Sequence, residues 1–195
     1  HSKGKFIGFL DSDDQFHEKH LEGLHHVISQ AEDNESIFVV KGLAIDENSG
    51  IQTKLHVKEG ATDLETVLLN SITPGQFVVP AAIMKTCPFN KDIRISEDTE
   101  VLARLVQKAK LKIINQFTLH YNQHDDNSVN TDRYNAFQDR KNTLNFIFKQ
   151  LPKGKISRVF KNRLLSNCYF GIYRYHKAQR NIFLAKWTML EAILR

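Results

Sequence analysis

The sequence predicts an α/β fold: a mixed sheet flanked by helices, followed by an α-helical C-terminal appendage. Three observations predict it. Short apolar runs of strand character alternate with amphipathic stretches of helical period from Lys5 to Tyr121. The first apolar run ends in carboxylates, where open α/β sheets place their ligands. From Asp132 onward the chain reads as helix, broken at Leu151–Gly154 by LPKG.

Lys5–Leu10 is a short buried-type strand. His17 to Ala31 is a helix, because Leu21, Leu24, Val27 and Ile28 recur at spacings of three and four. Ser36–Asp46 (SIFVVKGLAID) reads as a strand, Glu47–Gly50 as a turn, and Ile51–Val57 as a returning hairpin strand. Asp63–Asn70 reads as a short helix, and Gly75–Val79 as a loop entering an extended run before Pro80. Ser96 is placed to cap a helix running to about Lys110, with Glu97, Asp98 and Glu100 in its first turn, where the helix dipole favours acids. Lys112–Tyr121 is a strand and Asn122–Asn130 a polar loop. The boundary falls at 130, giving an α/β body over 1–130 and a basic helical appendage over 131–195.

With 41% hydrophobic and 25% charged residues, the chain can bury a core. Cys87 and Cys168 are far apart and form no C-x-x-C pair, so they read as reduced and structural in a cytoplasmic setting. No apolar run approaches a membrane span, and HSKGKFIGF is too short and too soon acidic for a signal peptide. The sequence opens without Met almost directly into a strand, which suggests the later part of a longer protein. The net charge of +5 is uneven. From Leu151 to Arg195 there are ten Lys/Arg and one acid, Glu191, while the rest holds 17 basic and 21 acidic residues. Such a tail suits an anionic surface. Its apolar residues Val159, Leu164, Leu165, Tyr169, Phe170, Ile172 and Tyr173 lie either in a membrane interface or against the body. Phe170, Tyr173 and Tyr175 sit in no recognised nucleic-acid motif, so nucleic acid is not an expected partner.

The chemistry begins with GKFIGFLDSDDQF, residues 4–16. Asp11, Asp13 and Asp14 crowd a strand tip and repel one another. Asp-x-Asp in a tight turn can bring both carboxylates to one hard divalent cation, which often takes one or two carboxylates plus substrate phosphates. An EF-hand loop is rejected, because Phe16 stands at the position that needs Gly. A phosphatase of the haloacid dehalogenase class, with Asp11 as nucleophile, fits poorly because Asp14-Gln15 follow. A solvated acidic turn remains an alternative, as does a metal site for a nucleotide sugar. Two further segments bear on this. In ISEDTEVLARL, Glu97 and Asp98 open a helix and serve either as N-terminal caps or as a general base. In LHYNQHDDNS, His124 follows a strand, and neutral imidazole ligates metals such as Mn²⁺.

FIGFLDSDDQFHEKHLEGL, ISEDTEVLARL and LHYNQHDDNSVNT together resemble the family 2 glycosyltransferases, which have the GT-A fold, a Rossmann-like mixed sheet flanked by helices. The resemblance covers about residues 3–130 and rests on three motifs in order. It implies a partial GT-A domain whose N-terminal nucleotide-binding segment is missing, leaving the first strand without a sheet neighbour. By that resemblance Asp11 contacts the donor's ribose and diphosphate, and Asp13 is the main metal ligand, with Asp14 a lesser one. His124 completes the metal or diphosphate contacts. Asp98 is the catalytic base, Glu97 positions the acceptor, and Gly75 in TPGQF lines the acceptor site. The cofactor implied is Mn²⁺ or Mg²⁺. The reaction implied moves a sugar from a nucleoside-diphosphate sugar, UDP above all, to a saccharide or lipid-linked saccharide with inversion. The setting implied is bacterial surface polysaccharide or lipopolysaccharide synthesis, in the cytoplasm or peripherally at the inner membrane face through 151–195. The alternatives are the phosphatase and a non-enzymatic domain that binds anionic surfaces.

Overall fold

Strand β3 (Ile37–Asp46) is the spine of the sheet. Ile37, Phe38, Val39 and Val40 are at most 1% exposed, so both of its faces are covered, which explains their unbroken apolar run. The computed structural model describes residues 3–31, 35–124 and 133–195. Asp125–Asn130 of the polar loop, and the start of the helix expected from Asp132, lie outside the described residues.

The remaining elements follow in chain order. Strand β1 (Phe6–Gly8), strand β2 (Gln15–Phe16) and helix α1 (His20–Ala31) precede β3. Strand β4 (Gln52–Leu55), helix α2 (Asp63–Leu69), a 3-10 turn (Pro74–Gln76), strand β5 (Phe77–Pro80) and helix α3 (Ala81–Lys85) come next. Helix α4 (Glu97–Leu105) and strand β6 (Leu111–Gln123) complete the sheet region. Helices α5 (Arg133–Gln150), α6 (Arg158–Ala178) and α7 (Ile182–Ile193) follow.

The sheet is mixed, in the order β1-β5-β3-β6-β2, with β4 paired to β3. β3 and β6 are parallel, and the other pairings are antiparallel. The β3–β6 register shifts around Lys41, where β6 bulges to accommodate its greater length. β1 does have a sheet neighbour, contrary to the sequence expectation. Phe6, Ile7 and Gly8 pair with Pro80, Val79 and Val78 of β5, and the Ala81 N–H donates to the Lys5 carbonyl at 2.8 Å. On one face, Leu24 of α1 packs with Phe38, Val40, Val78 and Ile114, and Val27 and Ile28 join from the same helical stripe. Asp63 of α2 caps the start of β6, accepting from the Leu111 N–H at 2.9 Å.

The chain folds as two compact units. One comprises His1–Phe89 and Val101–His124, and the other Asn90–Glu100 and Asp125–Arg195. This division differs from the boundary drawn at 130 in that residues 90–100 group with the C-terminal helices. A physical tie is visible: the Thr143 hydroxyl of α5 donates to the Ile95 carbonyl at 3.1 Å.

In the second unit, α6 buries Leu164, Leu165, Cys168, Tyr169 and Ile172 along one stripe. Much of the apolar set that the sequence offered to a membrane is thus packed core, while Val159 and Phe170 stay exposed. Both cysteines are free and buried. Ser157 caps α6 by accepting from the Phe160 N–H at 3.1 Å, after a turn through Gly154 at φ 81°. Among the described residues no helix is long and apolar enough to cross a membrane.

Candidate functional site

β1 and β3 both lie antiparallel to β5, so they run the same way, and β6 runs parallel to β3. The C-terminal ends of β1 and β6 therefore lie at the same end of the sheet. The acidic turn leaves β1 there, and Asn122–His124 close β6 there. Between them the chain crosses from the β1 edge to β2, which pairs Gln15 and Phe16 with His120 and Leu119 of β6. Phe9 anchors the start of the crossing against the rings of Phe77 and Phe89, each at 5.4 Å.

The turn is held at three points. The Asp14 N–H donates to the Asp11 carbonyl at 3.2 Å. Asp14, 6% exposed, turns its side chain inward, where Oδ1 accepts from the Asn122 N–H at 3.1 Å. The Asn122 side-chain amide donates to the Asp13 carbonyl at 2.5 Å. These ties leave the Asp13 carboxylate facing outward, and its Oδ2 lies 3.1 Å from Nε2 of His124. The Asp13 and His124 side chains keep 40% and 24% of their surface open, so an incoming ligand can reach both. Asp11 is exposed in the same turn.

The electrostatics are those of crowded like charges. Burial raises the Asp14 carboxyl to about 6 against the pull of the Asn122 N–H, and the charges of Asp13 and Asp11 add to the rise. Asp11, though exposed, is partly desolvated by its neighbours, which raises its carboxyl, and the Asp13 charge adds to the rise. Oδ2 of Asp14 is buried without a hydrogen-bond partner among the described residues. A divalent cation beside Asp13 would offset this repulsion, and a carboxylate with an imidazole suits Mn²⁺ or Mg²⁺. Among the described residues no three His, Cys, Asp or Glu side chains form a metal-holding group. An ion held by Asp13 and His124, with Asp11 beside them, would thus draw its other ligands from water or substrate phosphate.

Asn122 is the residue that sequence reasoning missed. An asparagine in a polar strand end carries no periodic or motif signal, and its role depends on a pairing 109 residues away in sequence. Asn122→Ala removes the donor to Asp13 while keeping the backbone tie to Asp14. It is expected to weaken divalent-metal affinity by about 10-fold or more, as loss of a residue that orients a ligand does. Metal titration followed by thermal shift checks this.

Glu97 and Asp98 begin α4 and belong to the second unit, as does Arg140 of α5. The residue before them, Ser96, sits at φ 63°, a left-handed conformation that costs energy in a non-glycine residue. Helix N-termini usually lower a carboxyl pKa. Here desolvation wins: the Asp98 carboxyl is raised to about 6, despite the Thr99 N–H donating to Oδ1 at 2.5 Å. The Glu97 charge pushes the same way, and Arg140 pulls weakly against it. A half-buried carboxylate of this kind is a stronger base than an ordinary one, yet is still ionised at neutral pH.

Gly75 is buried in the 3-10 turn of the first unit. A Cβ there would approach Cδ1 of Leu119 to 2.6 Å, so close packing requires the glycine. The turn is fixed by Gln76, whose Oε1 accepts from the Thr73 N–H and whose Nε2 donates to the Val40 carbonyl, both at 3.1 Å. Gly75→Ala is expected to destabilise the fold by about 1–3 kcal/mol through overpacking, read as a lower denaturant midpoint at unchanged m.

No protein-family model matches the sequence, and no curated protein matches it. Among solved structures the chain is similar to the crystal structure of S. aureus TarS 1-349, at a TM-score of 0.53 and 15% identity. The match covers 98% of this chain and 57% of that one, so this chain spans little more than half the length of that structure. At this identity the likeness shows the fold: a mixed α/β architecture similar to a glycosyltransferase domain.

Proposed function

We propose that this chain carries the metal-binding and acceptor-activating chemistry of an inverting glycosyltransferase. Such an enzyme moves a sugar from a nucleoside-diphosphate sugar, UDP-linked in the first instance, to a saccharide or lipid-linked saccharide. Synthesis of bacterial surface polysaccharide or lipopolysaccharide is the setting proposed. The observation that carries this reading is the Asp13–His124 pair at 3.1 Å, held at the C-terminal end of the sheet by an acidic turn that Asn122 clasps. The glycosyltransferase-like fold supports it.

Mn²⁺ or Mg²⁺ bound by Asp13 and His124 would supply Lewis-acid stabilisation of negative charge on the departing diphosphate. The other roles belong to the chain. Asn122 orients Asp13 through its carbonyl, and Asp14 fixes the turn. Asp11 orients the donor's ribose and diphosphate. Asp98 accepts the proton of the attacking acceptor hydroxyl, and Glu97 keeps Asp98 basic and positions the acceptor. Direct displacement at the anomeric carbon breaks the bond to the diphosphate as the bond to the acceptor oxygen forms, and inverts that centre. No enzyme nucleophile is used.

The test is nucleoside-diphosphate release from UDP-, GDP- and dTDP-sugars, with Mn²⁺, Mg²⁺ or chelator. Release with one base class that stops on chelation is expected. Release indifferent to chelation would contradict the metal-dependent reading. A phosphoryl group trapped on Asp11 would favour the phosphatase instead.

A further inference from the structure

Helix α7 carries an exposed apolar face unlike anything else in the described residues. Ile182, Phe183, Trp187, Leu190, Ile193 and Leu194 are between 48% and 78% exposed. At 3.6 residues per turn they lie together on the half of the helix turned away from the small buried residues Ala185 and Thr188. Those small residues let α7 lie close against α6, where the Ser166 hydroxyl donates to the Ala192 carbonyl at 2.8 Å. Arg195 holds the far end, donating to the Tyr169 hydroxyl at 3.1 Å with its guanidinium over the same ring. The apolar face is therefore displayed on a fixed hairpin. A contiguous patch of this size marks an interaction surface.

We propose that α7 docks flat on an anionic phospholipid surface, with this face set into the headgroup boundary. Charge selects the occupant. The helix is entered through Lys177 and Arg180 and bears Lys186 on its outward side, all exposed. The segment from Leu151 to Arg195 holds ten basic residues against the single acid Glu191. A second copy pressed onto this face would bring two strongly basic rims together, whereas an anionic bilayer neutralises them. Trp187 and Phe183 suit the boundary between water and acyl chains, and the Lys186 stem can reach back to the headgroups. Twelve residues of helix span roughly 18 Å, too short to cross a core of about 30 Å, so α7 lies on the surface. Docking through α7 does not depend on which reaction the sheet unit performs.

Trp187 is the only tryptophan of the chain and reports directly on this face. The test follows its emission in the full chain on adding vesicles of phosphatidylcholine alone, or of phosphatidylcholine with phosphatidylglycerol, beside vesicle co-sedimentation. A blue shift and sedimentation with the anionic vesicles only, weakened by salt, are expected. Phe183→Ser should weaken binding about tenfold or more, and Lys186→Glu roughly fivefold or more. Both sites are exposed, so unchanged circular dichroism is expected in the variants. Emission indifferent to anionic vesicles would overturn the proposal. So would emission already blue-shifted without lipid in a chain that sediments as a dimer, since a second copy would then cover the face.

Discussion

Asp98→Asn is expected to lower sugar transfer by about 10²- to 10⁴-fold, the range over which a positioned base contributes, while making the folded protein more stable at neutral pH. The two effects share one cause. Desolvation raises the Asp98 carboxyl to about 6, from the ordinary 3.8. The native state therefore holds this proton more tightly than the unfolded chain. As pH rises from the ordinary value through about 6, native Asp98 must ionise in a poorly solvated place, and stability is lost over that window. Asparagine keeps an acceptor for the Thr99 N–H and removes the charge. The gain is up to about 3 kcal/mol, or several degrees of melting temperature, above pH 6 and close to nothing at pH 3. Wild-type transfer should fall as pH drops below about 6, where the base is protonated. Glu97→Gln should move that acid limb to lower pH, since the Glu97 charge contributes to the rise. Parallel pH profiles of turnover and of melting check all three.

Asp13→Ala is expected to remove metal-dependent nucleotide binding, a larger loss than the 10–100-fold typical of a residue that only orients a ligand. The Asp13 side chain is 40% exposed, and its loss relieves repulsion on Asp11 and Asp14. Stability should therefore change by no more than about 0.5 kcal/mol, which separates lost binding from lost folding. Asp14→Ala should behave in the opposite way. It removes the acceptor for the Asn122 N–H inside the structure, so it should lower the melting temperature and loosen the turn together.

Much of this fold was legible because its signals are local and repeated. α1 announces itself by Leu21, Leu24, Val27 and Ile28, and the unbroken apolar run of β3 marks a strand covered on both faces. β2 escaped notice because two residues carry no period, and α3 because five residues after Pro80 do not either. Gly75–Val79 reads as a loop entering an extended run, and β5 does follow, but the 3-10 form of the turn was not legible, because Gln76 closes it through partners at Thr73 and Val40 that only tertiary structure brings near. The apolar residues of the basic tail were visible, but not their division. Leu164, Leu165 and Ile172 pack inward on α6, while the exposed face belongs to α7, because helical period gives the angle between residues and not which side meets a neighbour. In the candidate site, Asp11, Asp13 and His124 stood out by residue type and place. Asn122 did not, since its contribution is a hydrogen bond to a backbone carbonyl across the sheet end.

In the proposed mechanism the acidic turn and His124 together hold a divalent ion that receives a nucleoside diphosphate. Calorimetric titration of UDP into the chain, with and without Mn²⁺, tests it most directly, beside Asp13→Ala and His124→Ala and with GDP and dTDP as alternative ligands. Binding by one of these nucleotides that requires Mn²⁺, disappears in Asp13→Ala and weakens in His124→Ala is the result predicted. Binding that is indifferent to Mn²⁺ or survives intact in Asp13→Ala, or no binding by any of the three, would contradict it.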